Sequence, residues 1–137
     1  MVEAPPETVF DYITDPGNLR DWQTSKTSVE QLTDGPPGLG TRVRERTKPP
    51  AVKEFEQVVE FTEFERPRRF HVHIVEGPQP IDGTWTLEPD GAGTKVVFVA
   101  AGELRGPARL IGALIQRAMA REFAGYHRNL RRNLGET

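Results

Sequence analysis

Residues 41–48 read Thr-Arg-Val-Arg-Glu-Arg-Thr-Lys. Arg42, Arg44, Arg46 and Lys48 alternate there with Thr41, Val43, Glu45 and Thr47, the period of two that marks a strand with one face in water and one turned inward. Four consecutive cations on one side belong in solvent, so the phase is fixed, and it turns Glu45 inward beside Val43. Glu54, Glu56 and Glu60 in the following segment can oppose the arginines across a hairpin, which accounts for both charge runs without a binding role.

The alternation extends outward over Ser25 to Glu103. Turn clusters at Asp34-Gly35-Pro36-Pro37-Gly38, Lys48-Pro49-Pro50, Glu65-Arg66-Pro67, Glu76-Gly77-Pro78 and Pro89-Asp90-Gly91 divide this region into six short antiparallel strands. Val59 and Phe61 share a face, as do Phe70, Val72 and Ile74; Ile81, Gly83, Trp85 and Leu87; and Val96, Phe98 and Ala100. A sheet with one apolar face needs a cover. The segment Pro107 to Leu134 supplies it as a long amphipathic helix, opened by Gly106-Pro107 and stopped by Gly135, whose apolar stripe drifts as it would around a strongly curved sheet. At the other end, Pro5 and Pro6 suit the first turn of a short helix carrying Val9, Phe10, Tyr12 and Ile13, which Asp15-Pro16-Gly17-Asn18 stops. A second helical turn places Leu19 and Trp22 on one face.

The whole is an α+β chain of 137 residues, read as a single domain over 1–137. Hydrophobic residues make up 36%, and with 13 Gly the composition is globular and not disordered. No run reaches the roughly 18 apolar residues of a membrane span, and the start MVEAPPET lacks the basic head and apolar core of a secretory leader, so a soluble, cytoplasmic protein is expected. Without cysteine there is no disulfide, thiol nucleophile or thiolate metal site. The net charge of −2 excludes a polycationic nucleic-acid binder. Charge is unevenly spread, because residues 104–137 hold seven Arg against Glu122 and Glu136. A solvated outer helix face explains this best, and peripheral contact with a membrane surface is the alternative.

Residues 4–16, Ala-Pro-Pro-Glu-Thr-Val-Phe-Asp-Tyr-Ile-Thr-Asp-Pro, followed by Trp22, resemble the opening of the START/Bet v 1-like (SRPBCC) superfamily, in particular its polyketide cyclase/dehydrase-like bacterial members. Gly38-Leu39-Gly40-Thr41 and the run from Val59 to Phe70, with Glu65-Arg66-Pro67-Arg68-Arg69 inside it, look like later signatures of the same group. The resemblance covers nearly the whole chain and implies the helix-grip fold, a curved antiparallel sheet wrapped around a long C-terminal helix. One departure stands out. The family opens with a full strand before the Ala-Pro segment, where this chain has Met1, Val2 and Glu3, so the first strand is expected to be short or missing. Val96 to Ala101 would then form an apolar sheet edge, covered by the N-terminal residues or paired with a second copy in a homodimer.

The resemblance also implies a deep apolar cavity between sheet and helix that holds a lipid, a polyketide-like molecule or another hydrophobic small molecule. Its walls are expected from Val43, Phe61, Val72, Ile74, Trp85, Phe98, Ile111, Ile115 and Met119, with Trp22 near the mouth. Binding or carriage of such a ligand is the leading reading. The alternative is a cyclase or dehydratase in which Glu45, partly desolvated, moves a proton on a bound carbonyl compound, assisted by Tyr126 or His127. A third reading is an interaction module working through the basic helix. His71 and His73 share a strand face opposite Phe70, Val72 and Ile74, so they point outward and no metal site is expected. Gly-x-Ser-x-Gly, Gly-x-Gly-x-x-Gly and P-loop patterns are absent, and no cofactor is called for.

Overall fold

The structure is a computed structural model, described here for residues 2–49, 53–78, 81–102 and 112–134. The expected elements are present in the expected order. Helix α1 (Pro6–Thr14) starts with proline at its first position, where the missing N–H costs nothing, and buries Val9, Phe10 and Ile13. A 3-10 turn (Pro16–Asn18), capped by the Asp15 carboxylate on Gly17 N–H at 2.9 Å, leads into α2 (Leu19–Trp22), and both Leu19 and Trp22 are buried.

Six strands follow: β1 (Lys26–Gln31), β2 (Arg42–Thr47), β3 (Phe55–Glu65), β4 (Arg69–Glu76), β5 (Ile81–Asp90) and β6 (Gly93–Gly102). They form one antiparallel sheet in the order β1-β2-β3-β4-β5-β6. The deciding strand behaves as its alternation requires, with Thr41, Val43, Glu45 and Thr47 buried and the four cations exposed. On the outer face Arg42 pairs with Glu60, Arg44 with Glu56 and Glu30, and Arg46 with Glu54. These solvated pairs set register more than they stabilise.

One feature departs from the sequence reading and a second follows it. Pro89 lies inside β5, opposite Thr94, and the turn falls one step later at Gly91 and Ala92. Proline is tolerated there because β4 ends its pairing with β5 at Thr86, so no ladder bond to β4 is lost. The second concerns the N-terminus. In place of a first strand, Val2 makes an isolated bridge to Thr94, exchanging hydrogen bonds of 2.8 Å in both directions, and Thr94 Oγ1 donates to the Ala4 carbonyl at 2.7 Å. That bridge covers the beginning of the β6 edge, and beyond it Val99 is 58% exposed.

Helix α3 (Gly112–Leu134) closes the inner face. Its predicted opening at Pro107 lies outside the described residues. Its last turns are moored: Tyr126 and Leu130 are buried, Asn129 donates to the Trp22 carbonyl at 3.0 Å, and Asn133 donates to the Asp21 carbonyl at 3.0 Å. Among the described side chains of its first turns, Ala113, Leu114, Gln116, Arg117 and Ala118 are exposed and none is fully buried. Midway, Phe123 stacks on Phe98 of β6 at 4.2 Å between ring centroids and 6° between planes. An aromatic core runs from there through Trp85 to Trp22, Phe70 and Phe10. Arg117, Arg121, Arg128 and Arg132 are exposed, as a solvated outer face predicts.

Candidate functional site

A curved sheet cannot lie flush on a straight helix, and the space left over is a cavity of about 710 Å³. It is walled by the inner face of β2 to β6, by Leu19 and Trp22 of α2, and by Met119, Glu122, Phe123 and Tyr126 of α3. Of the expected wall residues, Trp22, Val43, Phe61, Val72, Ile74, Trp85, Phe98 and Met119 line it. Ile111 lies outside the described residues, as does the side chain of Ile115. Gly83 gives the cavity part of its depth. A Cβ there would stand 2.7 Å from Cε1 of Phe98, so the bare backbone is what lets that ring lie across β5.

The wall is mostly apolar, and its polar groups gather at one end. Glu45 lies inward as its phase requires and is 7% exposed. Its partner is a lysine and not one of the neighbouring arginines: Lys26 Nζ sits 3.0 Å from Glu45 Oε1, and Gln57, directly opposite on β3, donates to the same oxygen at 3.0 Å. Lys26 also donates to Thr47 Oγ1 at 3.0 Å. The lysine faces inward because of a bulge between Lys26 and Ser28, where β1 advances two residues against one on β2 and its phase reverses.

Beside this pair, Ser25 donates to Glu122 Oε1 at 2.6 Å, and the Tyr126 hydroxyl donates to the same oxygen with the Ser25 hydroxyl in contact with it. Glu122 and Tyr126 are one helical turn apart, so α3 presents them together. Burial, with the Glu122 carboxylate second, pushes the Tyr126 phenol far above its ordinary range. It therefore keeps its proton at neutral pH and serves as a hydrogen-bond donor.

His127, expected with Glu45 and Tyr126, is not on the cavity wall. Its ring meets Trp85 edge-on at 5.5 Å, and its Nε2 is buried without a hydrogen-bond partner among the described residues. Burial and then the charge of Arg131 hold its imidazole below the usual histidine value. His71 and His73 are on the outer sheet face, where both approach Asp82, at 3.6 and 2.6 Å. Among the described residues no group of three or more His, Cys, Asp or Glu is placed to hold a metal ion. No helix of the described residues is long and apolar enough to cross a membrane.

The polar end contains residues that sequence reasoning did not single out: Ser25, Lys26, Gln57 and Glu122. Only the four-residue spacing of Glu122 and Tyr126 could have signalled one of them.

The same architecture recurs in known structures. A Thermus thermophilus protein superposes with a TM-score of 0.82 at 27% identity, over 96% of this chain and 90% of that one. A Rhodobacter sphaeroides protein matches with a TM-score of 0.72 at 21% identity, over 96% and 85%. Ginseng major latex-like protein 151 of Panax ginseng, a plant protein, matches with a TM-score of 0.76 at only 10% identity, over 98% and 92%. The fold thus persists where little sequence identity remains. No curated protein matches the sequence. Residues 1–135 match the family described as polyketide cyclase / dehydrase and lipid transport. With the helix-grip architecture in place and the match running over almost every residue, this chain belongs to the polyketide cyclase/dehydrase and lipid transport family.

Proposed function

We propose that this protein binds and carries a hydrophobic small molecule, lipid or polyketide-like, in the cavity between the sheet and α3. The observation that carries the reading is the cavity itself: about 710 Å³, within the size range of small-molecule sites, walled mainly by apolar and aromatic side chains. Family membership supports it, since the family's description includes lipid transport. Native mass spectrometry of protein purified without detergent, followed by organic extraction, tests it. A discrete added mass, or saturable uptake of an apolar fluorescent probe, is the expected result. Bare protein that takes up no probe would refute it.

A second reading is favoured by the polar end. Glu45 beside Lys26, with Tyr126 and Glu122 adjacent, is a set of groups able to move or hold a proton at a bound carbonyl compound, as a cyclase or dehydratase requires. Under this reading Glu45→Gln abolishes turnover while ligand binding persists, and unchanged turnover removes Glu45 from the chemistry.

For assembly, the stretch of β6 beyond Thr94, which among the described residues pairs only with β5, supports a homodimer paired along that edge, with Val99 exposed at its centre. Sedimentation that shows a monomer at all concentrations would rule it out. Contact of the exposed α3 arginines with anionic lipid is the remaining alternative, and salt-sensitive vesicle binding is its signature.

A further inference from the structure

The charges at the polar end of the cavity do not cancel. Lys26 and Glu45 neutralise one another at 3.0 Å, Lys26 also donates to Thr47, and Gln57 donates to the same Glu45 oxygen. Glu122 belongs to no ion pair among the described residues. Ser25 and Tyr126 both donate to its Oε1, and among the described residues nothing donates to Oε2. Among the groups here that are shielded from solvent, two carboxylates and one ammonium group leave an excess negative charge. Lys53 and Glu54 also line the cavity but are exposed, Glu54 beside Arg46. Glu122 is therefore the partly buried carboxylate with no cation against it among the described residues, and its Oε2 is without a donor there.

Resting on the ligand-binding reading above, we propose that the cavity selects apolar molecules whose polar end donates hydrogen bonds, a protonated amine most strongly and a hydroxyl next, seats that end on Oε2 of Glu122, and rejects molecules ending in a carboxylate, free fatty acids among them. An amine entering the cavity loses its water, and a charge-assisted bond to a carboxylate among apolar walls restores what it loses. A hydroxyl can make the same bond without the charge. A carboxylate has no comparable buried partner, since Lys53, the other lining cation among the described residues, is exposed to solvent. The Tyr126 and Ser25 protons are already directed at Glu122, and Lys26 is held by Glu45 and Thr47. At the remaining N–H of Lys26 a ligand carboxylate would lie close to two like charges, Glu45 and Glu122, in surroundings that screen them poorly.

The test is a chain-matched series. Decylammonium, decanol and decanoate compete at neutral pH, below micelle-forming concentrations, with a neutral apolar fluorescent probe, N-phenyl-1-naphthylamine, bound to the full chain. Decylammonium is expected to displace the probe at a concentration about tenfold or more below decanoate, with decanol between them. In Glu122→Gln, which keeps an acceptor for Ser25 and Tyr126 but removes the charge, that ratio is expected to shrink to about threefold or less. Decanoate displacing the probe as well as or better than decylammonium would overturn this inference while leaving the cavity reading intact. Failure of the probe and all three compounds to bind would overturn the cavity reading, and this inference with it. An unchanged ratio in a folded Glu122→Gln protein would overturn the assignment to Glu122. Should that variant fail to fold, the series on the unaltered protein still decides the selectivity.

Discussion

Replacing Glu45 by Gln should destabilise the protein far more than its conservative shape suggests. The side chains of Lys26 and Glu45 are only 9% and 10% exposed and their charged atoms lie 3.0 Å apart. At an effective dielectric of about 20, the attraction at that separation is about 5 kcal/mol. Much of this is offset by desolvation of both groups, so the intact pair adds little net stability. The imbalance appears when one partner is removed. Lys26 then stays buried with no opposite charge against it, at a cost of about 3–5 kcal/mol, a large share of an ordinary domain's stability. With a urea m-value of about 2 kcal/mol/M, the midpoint should fall by about 1.5–2.5 M. The double variant Lys26→Met with Glu45→Leu removes both charges and fills the space with apolar atoms, so it should return to within about 1 kcal/mol of the native protein or exceed it. Equilibrium urea unfolding followed by Trp fluorescence measures all three proteins. A Glu45→Gln midpoint within about 0.5 M of native, or a double variant that loses the sum of the two single losses, would refute the reasoning.

Gly83→Ala should cost about 1–3 kcal/mol and lower the cavity's affinity for an apolar probe, because the new methyl group drives Phe98 off its stack with Phe123; unchanged urea midpoint and probe affinity would contradict it. His127 takes up its proton at a lower pH in the fold than in the unfolded chain, where the ordinary value is 6.5. Stability is therefore full above that value and falls as the pH drops from it toward the lower folded value, and in His127→Gln the fall should be shallower between pH 7 and 5. Parallel curves for the two proteins would exclude His127 as the source. Both tyrosines of the chain are held protonated beyond their ordinary value of 10.0, Tyr12 mainly by burial and Tyr126 by burial and Glu122. Their contribution to stability is present below that value and lost as the pH rises past it, so phenolate absorbance should lag behind a free tyrosine and Tyr126 should ionise only as the chain unfolds. A normal titration of both rings in the folded protein would refute this.

What could be read from the sequence followed from regular periodicity. In residues 41–48 four cations fixed the face, and that placed Glu45 inward with Val43 and opposed the arginines to Glu54, Glu56 and Glu60. Val72, Trp85 and Phe98 were legible for the same reason, since each stands within a run of alternation in its strand, and Phe61 was legible through the face it shares with Val59, just before a bulge between Phe61 and Glu63. The polar end was hidden where periodicity breaks. Lys26 reaches Glu45 through the bulge after it, and under strict alternation it would lie on the face opposite Val29 and Gln31. Ser25 and Glu122 are 97 residues apart and meet only after α3 docks, so no local pattern announces them. The sequence reading offers His127 beside Tyr126 as an alternative proton-transfer group. One residue along a helix is a rotation of about 100°, enough to carry it off the cavity wall and against Trp85.

The uneven mooring of α3 bears on how long a ligand stays. Lifting residues 112–121 from the sheet leaves the Asn129 and Asn133 bonds to α2 in place and keeps Leu130 buried. Such an opening requires less free energy than global unfolding. Residence time and fold stability are then set by different parts of one helix. Substitutions near Met119 would change the rate of release with little effect on the denaturation midpoint, and substitutions at Leu130 would do the reverse. Amide exchange should be graded along α3 in the same direction, fast in its first turns and slow in its last.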